Sequence, residues 1–169
     1  GGIIFENQPH GMANHRIVIN HANRYRAEKG FNRYEISNYA LPGYECEHNK
    51  IYWQRGNYLG VGLGAASMVE NVRWSNPAEK EAYRACAGRS GFPEGQALTE
   101  QEQMEEFMFL GLRLTEGVRE EMFHQQFGKT IRDVYGDVID RFAGQGLLLQ
   151  KDGRVYLTQK GVDVSNYVM

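Results

Sequence analysis

The sequence predicts an α+β fold in which short strands and helices lead into a helical unit that carries a winged-helix-like hairpin. Three observations point there. Thr99 and Glu102 form a capping box ahead of Met104, Phe107, Met108, Gly111 and Leu112, which recur at helical spacing. Asp152-Gly153 stands between two short apolar runs, the pattern of a tight hairpin turn. The stretch Tyr58–Met68 carries Gly60, Gly62 and Gly64 among apolar residues and reads as a buried strand that something approaches closely. The 169 residues are enough for one good core or for two small units sharing an interface.

Taken in order, residues 1–11 are irregular and read as a native loop or a cloning remnant. Met12–Lys29 reads as a helix, with Ile17, Val18, Ala22 and Tyr25 on one face and Gly30 as its stop. In Phe31–Ala40, Tyr34, Ile36 and Asn38 alternate with Glu35, Ser37 and Tyr39, as along a strand that Leu41-Pro42-Gly43 breaks. Tyr44–Asn57 is expected to be a polar and aromatic loop with one helical turn. After the glycine-rich strand, Glu70-Asn71 turns the chain into a returning strand at Val72–Trp74. Asn76 and Pro77 suit a cap and first turn, so a helix is expected over Pro77–Ala87.

Gly88–Leu98 is the most linker-like stretch, and the second unit follows it. Beyond the capping-box helix, further helices are expected at Arg119–Phe127, Ile131–Tyr135 and Val138–Gly144. Strands at Leu147–Gln150 and Arg154–Leu157 flank the hairpin turn, and Thr158 caps a last helix through Tyr167. The resulting expected organisation is an N-terminal segment over 1–11, a first unit over 12–88, a linker over 89–98 and a winged-helix-like unit over 99–169.

Composition removes several function classes. Apolar residues make up 41% and charged residues 24%, values of an ordinary globular protein. No apolar run approaches the length of a membrane span, and residues 1–11 show no basic stretch followed by an apolar core, so a cytoplasmic setting is expected. The net charge of −2 supplies no basic field for a phosphate backbone, which argues against a nucleic-acid partner. A recognition helix of the winged unit would lie near Val138–Phe142, where Asp137 and Asp140 meet only Arg141. Cys46 and Cys86 are far apart and make no disulfide framework or metal pair in sequence. His10, His15, His21 and His124 are dispersed and read as surface or cap residues.

Several strings, in one order along the chain, carry more information than any of these. Tyr34-Glu35-Ile36-Ser37-Asn38-Tyr39-Ala40 precedes Pro42-Gly43 and then His48-Asn49-Lys50-Ile51-Tyr52-Trp53. Tyr58-Leu59-Gly60 and Gly62-Leu63-Gly64-Ala65 follow, and Glu105–Arg113 and Thr115–Val118 lie further on. This succession resembles the second half of the HemN/HemW family of radical SAM proteins over residues 12–169, and the His48–Trp53 string resembles its haem-chaperone branch. The resemblance implies the C-terminal part of a (β/α) barrel, closed by residues 12–88, with the family's C-terminal winged-helix-like domain after it. It implies haem binding and transfer, or alternatively the non-catalytic half of an oxygen-independent coproporphyrinogen III oxidase, the enzyme of oxidative decarboxylation in porphyrin biosynthesis. A nucleic-acid-binding winged helix is a third reading.

The chain departs from the family pattern in two respects. The CxxxCxxC motif does not occur in it, and Ala66 stands where the family often has histidine. Two cysteines cannot supply the three or more thiolates of a four-iron cluster, so 4Fe-4S and S-adenosylmethionine are expected only in a full-length family protein, and this chain is not expected to be active alone.

His48 is the first candidate site residue and the one candidate metal ligand, since a neutral imidazole is a good axial ligand for haem iron. Tyr52 and Trp53 are candidates to cover a porphyrin plane, and Asn49 to orient the imidazole or meet a propionate. From the residues alone, Tyr52 and Trp53 also suit core anchors and His48 a hydrogen-bonded loop position. Gly62 and Gly64 are candidates for backbone approach to a cofactor, against tight strand packing as the plainer account. Arg33, Arg55 and Arg73 are candidates for haem propionates, while Glu100, Glu102, Glu105 and Glu106 are expected to face solvent. Expected partners are haem or porphyrin, a haem-accepting protein, and a second copy of the chain paired through an exposed barrel edge.

Overall fold

The computed structural model describes residues 24–87 and 94–169, and the chain divides between Glu45 and Cys46 into two units. Expectations for residues 1–11, for most of the helix over Met12–Lys29, and for the centre of the linker lie outside the described residues.

In the first unit, residues 24–28 are helical, and the Phe31 N–H closes the helix end on the Arg26 carbonyl at 3.0 Å. The single strand expected over Phe31–Ala40 is instead a small hairpin of β1 (Asn32–Arg33) and β2 (Tyr39–Ala40), with Asn32 opposite Ala40. The cause is Glu35. Its fully buried carboxylate accepts from the Ser37 N–H and from Asn38 Nδ2, both at 2.7 Å, and so folds the chain back on itself. The alternation of Tyr34, Ile36 and Asn38 is therefore that of a turn.

The second unit opens with α1 (Glu47–Trp53), where a loop with one helical turn was expected. A three-stranded antiparallel sheet follows in the order β3-β4-β5, from β3 (Ala66–Val69), β4 (Val72–Ser75) and β5 (Gln96–Ala97). Glu70 and Asn71, with φ of 49° and 65°, make the expected turn between β3 and β4. Helix α2 (Lys80–Ala87) starts three residues after Pro77. Asn76 does not cap it, since the helix begins four residues further on; its side-chain Nδ2 donates instead to the carbonyls of Gly60 and Gly62, each at 3.0 Å.

Helix α3 (Glu100–Gly111) carries the expected capping box of Thr99 and Glu102. After it come β6 (Val118–Arg119), α4 (Glu120–Phe127) and α5 (Ile131–Gly144). The two helices expected around Gly136 are one. Ile131, Ile139 and Phe142 bury one continuous face of α5, and that burial outweighs the helix cost of a glycine, about 1 kcal/mol. Strands β7 (Leu148–Lys151) and β8 (Arg154–Leu157) join β6 in a second antiparallel sheet of order β6-β8-β7. Thr158 caps α6 (Gln159–Asp163), and a break at Val164 separates it from α7 (Ser165–Val168) where one helix was expected. The core of this region centres on Phe123, Ile131 and Val155, with Phe107 and Phe127 edge-on or tilted against Phe123.

Among the described residues every strand pairing is antiparallel, and no helix is long and apolar enough to cross a membrane.

Candidate functional site

Helix α1 builds one wall of the site. Its spacing sets His48 and Tyr52 one turn apart, and their rings meet edge to face with centroids 4.8 Å apart at 82°. Tyr52 in turn lies 4.4 Å from the ring of Tyr58. Tyr58 is held in place by a pair of backbone hydrogen bonds with Met68 of β3, at 2.8 and 2.9 Å. Together with Asn49 and Trp53 these residues line an open hollow of about 340 Å³, to which β4 adds Arg73 and α3 adds Leu110. That volume lies at the small end of the range for ligand pockets, roughly 300–1,000 Å³. His48 itself is exposed at the hollow, and its lining includes one permanent cation and no carboxylate.

Trp53 is a wall between two spaces. One face lines this hollow, and it also borders a second hollow of about 200 Å³ with Phe107, Leu114, Val118 and Met122. The Arg113 guanidinium sits 4.2 Å from the centroid of the Trp53 ring, and Trp53 Nε1 is buried with no hydrogen-bond partner.

Behind the hollow lies an ion-pair group that ties the first sheet to α3. Glu106 receives Arg55 Nε at 3.2 Å and Arg73 Nη2 at 2.6 Å, and Arg55 Nη1 also donates to Asn71 Oδ1 at 2.8 Å. The Arg55 side chain is 3% exposed and that of Glu106 19%. Glu106 therefore does not face solvent as expected, because two arginines hold it inward. Glu102 is a first-turn acid as expected, and hydrogen bonds from the Thr99 backbone and hydroxyl hold its carboxyl below the usual carboxylate range.

Four of the six site residues read from the sequence, His48, Asn49, Tyr52 and Trp53, line one hollow. Gly62 and Gly64 do not line it. The strand expected over Tyr58–Met68 forms only over Ala66–Val69, and Gly62 and Gly64 lie in a loop with φ of 110° and 66°. A Cβ at either would meet nothing within 4 Å, so these glycines serve the loop's left-handed backbone and not close packing. Tyr58, Met68 and Leu110 escaped the sequence reading, since they reach the hollow through strand pairing and helix packing that no local spacing encodes. Cys46 and Cys86 are free thiols, and among the described residues no group of three or more His, Cys, Asp or Glu could hold a metal ion. The donor set does not fit a four-iron cluster.

Residues 98–164 match the family model of the HemN C-terminal domain. The chain is 36% identical over 142 residues to the "Heme chaperone HemW" of Lactococcus lactis subsp. lactis, covering 84% of this chain and 38% of that protein. It is 36% identical over 141 residues to the protein of the same name from Bacillus subtilis, covering 82% and 37%. The chain belongs to the HemN/HemW family. It thus spans less than two fifths of the length of these curated relatives. The fold of the solved coproporphyrinogen III oxidase HemN from Escherichia coli, a radical SAM enzyme, is similar with a TM-score of 0.67 over 89% of this chain and 39% of that one. At 15% identity that likeness speaks for the HemN-type fold alone.

Proposed function

We propose that this HemN/HemW-family chain binds haem in the hollow beside His48, as the haem-handling portion of a chaperone that passes haem to an acceptor protein. The observation that carries the reading is the placement of His48. Its exposed imidazole stands edge-on to Tyr52 at a hollow walled by aromatic and apolar side chains. The His48 imidazole would be the residue to ligate the iron, and the Tyr52, Tyr58 and Trp53 rings would supply apolar area to the porphyrin. Asn49 is the polar neighbour that would orient the imidazole or meet an acid group. The matching relatives named as haem chaperones favour this reading over the oxidase alternative, which rests on the shared fold. Porphyrinogen turnover by a full-length family protein, with no haem bound, would favour the oxidase instead.

In this reading residues 12–88 close a partial barrel, and 99–169 form a winged-helix-like module that packs or docks partners. Nucleic acid is a poor partner for the module, since α5 carries Asp133, Asp137 and Asp140 against Arg132 and Arg141. A cytoplasmic setting, and pairing with a second copy through an exposed barrel edge, belong to the same reading. The iron–sulfur cluster and S-adenosylmethionine belong to the full-length protein.

The test is a haem titration followed by absorbance, with His48→Ala alongside. A saturable Soret shift that the variant loses is expected. Unchanged affinity and spectrum in His48→Ala would refute the assignment.

A further inference from the structure

The hollow beside His48 holds a second recognition element. Three arginines were candidates for an acidic ligand, and their surroundings separate them. Arg33 donates to the hydroxyl of Tyr39 within the first unit, through Nε at 2.8 Å. Arg55 is buried and spends its guanidinium on Glu106 and Asn71. Arg73 differs from both. It lines the hollow, and its side chain is 42% exposed. The β3–β4 register sets it opposite Met68, another lining residue. Its Nη2 is held by Glu106 at 2.6 Å, while Nε and Nη1 donate to nothing among the described residues. A guanidinium anchored at one corner, with donors left over, is pre-organised for a second carboxylate. Glu106 serves Arg55 as well as Arg73, so one carboxylate contacts two guanidiniums, and Glu102, the other acid that acts on Arg73, does so through space without an ion-pair contact.

We infer that Arg73 receives a carboxylate of the ligand in this hollow, so that the site selects a planar apolar ligand with acidic edge groups over its uncharged ester. This rests on the reading of the hollow as the haem site and adds the basis of its selectivity. Arg73 is a ligand-binding residue here, and Glu106 a positioning residue that fixes it.

The experiment compares ferric protoporphyrin IX, which carries two propionates, with its dimethyl ester in the same non-ionic detergent. Both are titrated by Soret absorbance into the protein and into Arg73→Met, Arg73→Lys and His48→Ala. The unsubstituted protein should bind the diacid about tenfold more tightly, the worth of one charge-assisted hydrogen bond. Arg73→Met should erase that preference without moving the Soret maximum of the bound form, because the iron ligand is untouched. Arg73→Lys, which keeps the charge and loses the fork, should retain part of it; it also decides the matter if Arg73→Met does not fold. Equal binding of diacid and ester by the unsubstituted protein would overturn the inference, as would a preference that survives in Arg73→Met. A Soret shift that persists in His48→Ala, with the preference still dependent on Arg73, would sink the His48 ligation and leave the carboxylate contact standing. No saturable binding of either ligand would overturn both.

Discussion

Replacing Glu106 by alanine should destabilise the second unit far more than an ordinary surface change. The carboxylate answers Arg55, whose side chain is only 3% exposed, and it is itself 19% exposed. Removing one partner of a buried ion pair costs about 3–5 kcal/mol, since the remaining charge stays buried and uncompensated. Two features reduce this here. Asn71 still accepts from Arg55 Nη1 at 2.8 Å, and the partial exposure of Glu106 admits water to the vacated space. Arg55 Nη2, by contrast, is already buried without a partner, so the guanidinium has little in reserve. The expected loss is about 2–3 kcal/mol. Removing both charges, with Arg55→Met and Glu106→Leu together, should cost less than Glu106→Ala alone, because no lone charge remains in the interior. Urea unfolding followed by tryptophan fluorescence reads the relevant unit, since both tryptophans, Trp53 and Trp74, lie in it. A loss below about 1 kcal/mol for Glu106→Ala, or a double variant less stable than the single one, would refute the reasoning.

Two further outcomes are expected. Gly117→Ala should cost at least about 2 kcal/mol, seen as a lower urea midpoint at unchanged slope, because φ there is +69° and a Cβ would collide with the Val155 carbonyl and with Tyr156; an unchanged midpoint would contradict the packing of β6 on β8. Hydrogen bonds from Thr130 hold the Asp133 carboxyl below its ordinary range, as those from Thr99 do for Glu102, so the folded state binds fewer protons than the unfolded chain. Their contribution is complete above the unfolded-state values and fades as pH falls below about 5, and the pair Glu102→Gln and Asp133→Asn should flatten that acid slope in urea midpoints measured against pH; an identical slope would show that the caps do not contribute.

The sequence by itself determined the features that depend on neighbours in the chain. The capping boxes at Thr99 and Thr130 are set by side chains three residues apart reaching each other's backbone. The hairpin turn at Asp152-Gly153 has both residues at positive φ, which a tight two-residue turn requires and this pair of residue types tolerates. The order of the strings from Tyr34 to Val118 already indicated the HemN/HemW family, and helical spacing alone sets His48 one turn from Tyr52.

Only the tertiary structure decided the rest. Asn76 has no capping role because the helix begins only at Lys80, and its Nδ2 instead ties together the loop carbonyls of Gly60 and Gly62. The face of α5 carried a helix through Gly136 because buried apolar area outweighs local propensity. Glu106, one of four acids on α3 that look alike in sequence, turned inward because Arg55 and Arg73 reach it from chain segments 51 and 33 residues away. The hollow beside His48 has the same origin. Local spacing places one wall of it, but Tyr58, Met68, Arg73 and Leu110 arrive by strand pairing and helix packing, interactions between distant segments that no periodicity along the chain records.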